Sequence, residues 1–131
     1  EHRGTSEGDN VRAALSICQW KHPGNKDGYA TEISDVTCRN LYFDDIQSDG
    51  TYIFVWQMPG QTESSYIRNL VFKNIEINDA NRVKNPVFQA VTNENYILGM
   101  TVNNFSISGK KVLSTGRDFR CSGNISDLSI N

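Results

Sequence analysis

Four apolar slots, spaced apolar-x-apolar-x-x-apolar-x-apolar, recur along this 131-residue chain and constrain its fold more than any other feature. Val36, Cys38, Leu41 and Phe43 fill them first, then Leu70, Phe72, Ile75 and Ile77, then Met100, Val102, Phe105 and Ile107. Near the C-terminus Ile125, Leu128 and Ile130 fit the last three slots. On that alignment the second slot recurs at residues 38, 72, 102 and 125, in steps of 34, 30 and 23. Unequal steps around a constant template are what loop insertion into a stack of repeats produces.

Within each half of the template the apolar residues alternate, which is strand periodicity. Two residues separate the halves, so the inward face survives only if the chain bends there. The bend pairs are Arg39-Asn40, Lys73-Asn74, Asn103-Asn104 and, on this alignment, Ser126-Asp127. Asn and Asp tolerate the left-handed backbone of a tight corner. Stacking would place Asn40, Asn74 and Asn104 in one ladder of side-chain amides. Residues 52–56, 87–91 and 112–113 suggest one more strand per repeat. The expected fold is all-β, a right-handed parallel β-helix of about four to five coils, in its C-terminal portion. Residues 1–29 form a first coil and connector in this reading, and residues 30–131 the regular coils. A β-sandwich would not repeat an asymmetric template with Asn in one slot. Leucine-rich repeats require Leu where Cys, Phe, Val and Ile stand.

Composition narrows the function classes. A net charge of −2 and a pI near 5.6 weigh against nucleic acid or an anionic membrane as partner. The apolar run 52–56 is far shorter than a bilayer span. Cys18, Cys38 and Cys121 have no CxxC spacing, so a zinc site is not expected. One disulfide with a free thiol and three buried thiols are both open, the latter favoured because free Cys packs as a small hydrophobe. The polar opening Glu1-His2-Arg3-Gly4 carries no signal-peptide pattern and is expected of a processed product or a fragment. No phosphate loop, dinucleotide motif or metal-ligand spacing appears, and no cofactor is expected.

The stretch Gly99-Met100-Thr101-Val102-Asn103-Asn104-Phe105-Ser106-Ile107-Ser108-Gly109-Lys110-Lys111-Val112 resembles the C-terminal coils of glycoside hydrolase family 49, the dextranase and isopullulanase family. The likeness continues through Phe119-Arg120 to residues 124–131, and residues 33–46 and 66–77 resemble preceding coils. The resemblance implies a secreted, extracellular enzyme that hydrolyses α-glucans with carboxylates and inverts the anomeric centre. It does not place the chemistry in this chain. The family's catalytic aspartates lie on earlier coils, and no stretch here matches their motifs. On this reading the catalytic acid and base come from outside the chain.

Asp44-Asp45 is the one adjacent carboxylate pair on a template strand. Inverting glycosidases need two carboxyl groups about 6.5–9.5 Å apart on one substrate, whereas adjacent strand residues point to opposite faces. Asp44-Asp45 also aligns with Asn78-Asp79 and Ser108-Gly109, so turn chemistry is the expected role. The densest functional-looking patch is Cys18-Gln19-Trp20-Lys21-His22-Pro23-Gly24, with an aromatic platform, a cation and an imidazole. Arg12, Trp20, Lys21 and His22 are therefore the candidate sugar contacts, with a half-buried surface loop as the plain alternative. Tyr52, Phe54 and Trp56 alternate as core residues do, although they also offer an aromatic platform. Asn104-Phe105-Ser106 and Asn124-Ile125-Ser126 match the glycosylation pattern, and only Asn124 is expected to be accessible.

Three functions compete. The first is part of an α-glucan hydrolase, with a further chain or an upstream segment covering the N-terminal coil. The second is a non-catalytic carbohydrate-binding or adhesive β-helix module. The third is a polygalacturonase-like hydrolase or a polysaccharide lyase. The lyase needs clustered carboxylates for calcium, and these are sparse here.

Overall fold

The computed structural model describes residues 13–19, 32–44, 51–57, 66–78, 87–89, 96–123 and 125–131. Among them the regular structure is all β, in ten strands with no helix. They are β1 (Ala13–Gln19), β2 (Ile33–Ser34), β3 (Thr37–Asp44), β4 (Thr51–Gln57), β5 (Tyr66–Asn78), β6 (Val87–Gln89), β7 (Tyr96–Ile107), β8 (Lys110–Lys111), β9 (Arg120–Ser122) and β10 (Ile125–Ile130).

Two parallel sheets share these strands. One runs β1-β4-β6-β9; the other runs β10-β7-β5, with both β2 and β3 pairing along β5. The chain thus visits the first sheet, then the second, and returns one strand further along. Four tiers result: β1 with β2 and β3, β4 with β5, β6 with β7, and β9 with β10. Parallel neighbours require such long crossovers, since a tight hairpin can join only antiparallel strands.

The template governs the register of the second sheet. Cys38, Phe72 and Val102 are successive partners, as are Leu41, Ile75 and Phe105, and Phe43, Ile77 and Ile107. Their inward side chains merge with Tyr52, Ile53 and Val55 from the first sheet into one core. Phe43 meets the Tyr52 ring edge-on at 5.9 Å, and Phe105 meets Phe119 at 5.3 Å, a geometry that suits the aromatic quadrupole. Tyr52 is buried, but the inward alternation of β4 is that of Ile53 and Val55, in register with Leu15 and Ile17. Phe54 and Trp56, whose side chains lie outside the description, are in register with exposed Ser16 and Cys18.

Burial varies by tier. Phe72, Ile75, Ile77, Met100, Val102 and Phe105 of the two middle tiers are almost wholly excluded from water. Ile33, Val36, Cys38, Leu41 and Phe43 of the first tier are only partly covered, as are Ile125, Leu128 and Ile130 of the last. A stacked core shields a residue only when tiers lie on both sides.

The bends follow the expected chemistry and add a second corner. Asn40, Asn74 and Asn104 take φ of 56°, 55° and 53°. Five residues earlier, Asp35, Asn69 and Gly99 also have positive φ (57°, 52° and 73°). The second-sheet strands therefore turn twice, after Ile33, Ile67 and Ile97 and again after Cys38, Phe72 and Val102. Gly99 suits its column, because a Cβ there would sit 3.1 Å from Asn69 Oδ1. At the end of β7, Ser108 and Gly109 (φ 49° and 74°) join β7 to antiparallel β8. Positive φ at both central residues is what a type I′ hairpin demands.

Two expectations need correction. Ile125, Leu128 and Ile130 pair with Ile97, Met100 and Val102, not with Val102, Phe105 and Ile107. The aligned step is therefore 28 residues rather than 23, and Asp127 (φ 51°) belongs to the Gly99 corner rather than to the Asn104 corner. The spacing apolar-x-x-apolar-x-apolar spans either corner, with the turning residue as its second x, so the template fits both registers. Residues 112–113 are not a strand. Val112 is buried and donates its N–H to Phe105 O at 2.8 Å, and Leu113 is exposed; β9 occupies that place in the first sheet.

Candidate functional site

The outward side of the second sheet carries its functional groups in columns. Asn74 Nδ2 donates to Asn40 Oδ1 at 3.0 Å, and Asn104 Nδ2 donates to Asn74 Oδ1 at 3.0 Å. Asn69 Nδ2 donates to Asp35 Oδ1, and Asn78 Nδ2 to Asp44 Oδ1, each at 2.9 Å. In each of these bonds the later tier donates and the earlier tier accepts. Where the acceptor is Asp that direction is forced, because a carboxylate has no proton to give. Asp44, the last residue of β3, is therefore a ladder acceptor in register with Asn78, and Asp45 lies outside the described residues.

Beside the middle ladder runs a second column. Tyr42 is the partner of Glu76, Glu76 of Ser106, and Ser106 of Lys111. Tyr42 is 59% exposed, Glu76 is exposed, and Ser106 is half-buried. Between this column and the ladder amides lies a groove of about 300 Å³. On the other side of the ladder Arg39 stands in register with Lys73, both exposed. Glu32 pairs with Arg68 at 3.5 Å near the first corner. Such exposed ion pairs contribute little to stability.

A second concavity of about 300 Å³ lies inside residues 107–119, rimmed by Lys110, Lys111 and Arg117 and floored by Val112 and Phe119. Gly116 N donates to Phe119 O at 2.9 Å and closes the loop.

The three thiols are unpaired. Partial desolvation by neighbouring groups pushes all three pKa values up, that of Cys121 to about 11, so none is an activated nucleophile. The expectation of three buried thiols does not hold: Cys18 is exposed, because Leu15 and Ile17 take the inward positions of β1, and Cys38 and Cys121 are only half-buried. No group of three His, Cys, Asp or Glu side chains suited to a metal occurs among the described residues.

Arg12, Trp20, Lys21 and His22 all lie outside the described residues. Of the segment that contains three of them, the structure describes Cys18 and Gln19, which end β1. Asn124 also lies outside. Asn104 has its amide engaged in the ladder, as its slot predicts. The Tyr42 column has no motif in the sequence. It becomes visible only when steps of 34 and 30 residues are applied to outward positions as well as inward ones. No protein-family model, curated protein or solved structure matches the chain.

Proposed function

We propose that this chain is the C-terminal part of the right-handed parallel β-helix of an extracellular, dextranase-like glycoside hydrolase that cleaves α-glucans with inversion. The observation that carries the reading is the ladder from Asn40 through Asn74 to Asn104 in a two-sheet parallel stack. It supports a stacked-coil architecture of the kind the family resemblance calls for. Right-handedness is the rule for parallel crossovers in a sheet. The middle tiers supply a rigid core, and the outward columns supply amides, hydroxyls and an aromatic ring, groups suited to sugars.

The catalytic aspartates come from other coils. In this role Arg12, Trp20, Lys21 and His22 border the cleft those coils form, Trp20 stacking on a sugar ring and the other three hydrogen-bonding its hydroxyls. A covering segment, from the same polypeptide or a partner chain, completes the half-buried first tier.

The test is release of reducing sugar from dextran and related α-glucans, by this chain alone and with the upstream portion restored. The expected outcome is activity only in the restored protein, reduced by Trp20→Ala and Lys21→Ala. Robust turnover by the isolated chain would show that it holds its own acid and base.

A second reading, a non-catalytic carbohydrate-binding module, has one observation in its favour. Asp35 and Asp44 are committed as ladder acceptors, which removes two carboxylates from any catalytic pair. Glucan binding without cleavage in the restored protein would select this reading.

A further inference from the structure

We infer that the Tyr42–Glu76–Ser106 column and the adjoining Asn40–Asn74–Asn104 ladder form a docking strip for a neutral polysaccharide chain lying along the stacking axis. The choice of glucan rests on the carbohydrate reading above; the strip itself rests on the following geometry.

The three column residues belong to consecutive tiers, in register. Neighbouring strands lie about 4.8 Å apart, so the column presents a ring, a carboxylate and a hydroxyl at regular intervals. A polymer with evenly spaced hydroxyls is the kind of ligand that can follow such a track. Tyr42 offers an apolar ring face with a polar tip, the amphipathic surface that matches a pyranose. Its 59% exposure leaves that ring available. Neither Tyr42 nor Glu76 has a hydrogen-bond or ion-pair partner among the described residues.

The ladder supplies the donors. A side-chain amide carries two N–H donors, and the ladder uses one each from Asn74 and Asn104. The second N–H of each remains for a ligand, while Glu76 accepts from a sugar hydroxyl through a charge-assisted bond. These groups are held in place by a backbone fixed in two parallel ladders, so little ordering is lost on binding. The groove of about 300 Å³ is at the lower end of ligand clefts.

Charge selects the ligand class. Among the described residues, Glu76 is the only charged side chain lining the groove, and it is negative. Uronate or sulfate groups would be repelled there. Arg39 and Lys73, across the ladder, and Lys111, beyond Ser106 at the end of the column, do not line the groove. A neutral, hydroxyl-rich chain satisfies the strip; an acidic one does not.

Affinity electrophoresis of the 131-residue chain through gels containing dextran, a second neutral glucan or polygalacturonate tests the assignment. Retardation by a neutral glucan is expected, weakened by about fivefold or more in Tyr42→Ala, as loss of one aromatic contact implies. Glu76→Gln should weaken it less, and both variants should keep the parent's circular dichroism because both sites are solvent-facing. No retardation by either neutral glucan would overturn the strip. So would unchanged retardation in both variants, or retardation by polygalacturonate alone. None of these readouts requires hydrolysis, so failure of the strip and failure of the hydrolase reading are separable.

Discussion

Asn74 donates its side-chain amide to Asn40 across 34 residues of sequence, at 3.0 Å, while its own carbonyl oxygen accepts from Asn104. Asn74 is thus the middle rung of the ladder and also the corner residue of β5, with φ of 55°. Asn74→Ala removes both rungs and forces a Cβ-bearing residue without a local hydrogen bond into the left-handed region. The backbone term costs about 1–2 kcal/mol, and each exposed rung adds up to about 1 kcal/mol. Asn74→Gly loses the rungs but not the corner, so it should be the milder variant. Urea denaturation of both ranks them; equal midpoints would mean that the corner carries no backbone strain.

Phe72 and Lys73 are adjacent in β5 and opposite in environment. Phe72 is fully buried between Cys38 and Val102, while Lys73 is exposed. Phe72→Ala should cost about 3–5 kcal/mol as a large-to-small core change. Lys73→Ala should stay within about ±0.5 kcal/mol. Similar melting shifts for the two would contradict the inward assignment.

Glycine chemistry separates two loop positions. Gly99 has φ of 73° and lies against Asn69, whereas a Cβ on Gly116 meets nothing within 4 Å. Gly99→Ala should destabilise by about 1–2 kcal/mol from the left-handed backbone alone, with the 3.1 Å approach to Asn69 Oδ1 adding to it. Gly116→Ala should be near neutral. Thermal melts of the two variants check the contrast, and a Gly99→Ala melt matching the parent would remove the corner at that residue.

The same corners explain how far the fold was legible. Residues 38, 72 and 102 announce the inward row because their apolar neighbours repeat on both sides of an Asn. The first corner, at Asp35, Asn69 and Gly99, is hidden because its occupants differ in type and its apolar spacing repeats that of the second. That degeneracy shifted Ile125 by five residues, since three apolar slots cannot distinguish the corners. β1 was hidden by brevity: Leu15 and Ile17 alone alternate, and the polar residues after them suggest a loop. The Tyr42 column was illegible for another reason, because outward residues carry no periodic signature and meet only through register.

Cys121 provides a pH-dependent readout of packing. Burial raises its pKa from the ordinary 9.0 to about 11. A thiol whose folded pKa exceeds its unfolded value favours folding below the unfolded value, and that contribution is lost as pH rises through the folded one. Stability should therefore decline between about pH 9 and 11, and the decline should shrink in Cys121→Ser. Alkylation by iodoacetamide should be slow at pH 8 and accelerate toward the same window. Rapid modification of Cys121 at pH 8 would show that the last tier opens readily.

The open tiers set the last prediction. Leu41 and Ile75 are register partners with equivalent inward directions, yet Ile75 is buried and Leu41 only half-buried. The difference is one missing neighbour: β3 pairs with β5 and with no other strand among the described residues. A half-covered apolar row beside an unpaired backbone edge favours association with another strand. The isolated chain should therefore show concentration-dependent sedimentation. An inward charge on an edge strand is an effective block to such pairing, so Leu41→Lys should shift the chain toward monomer while keeping its strand signal. Ile75→Lys buries an unpaired ammonium and should unfold the protein. If the covering segment of the proposed function is restored and seats on this row, the association of the parent should disappear. Association that persists there, or that Leu41→Lys leaves unchanged, would locate the sticky surface away from β3.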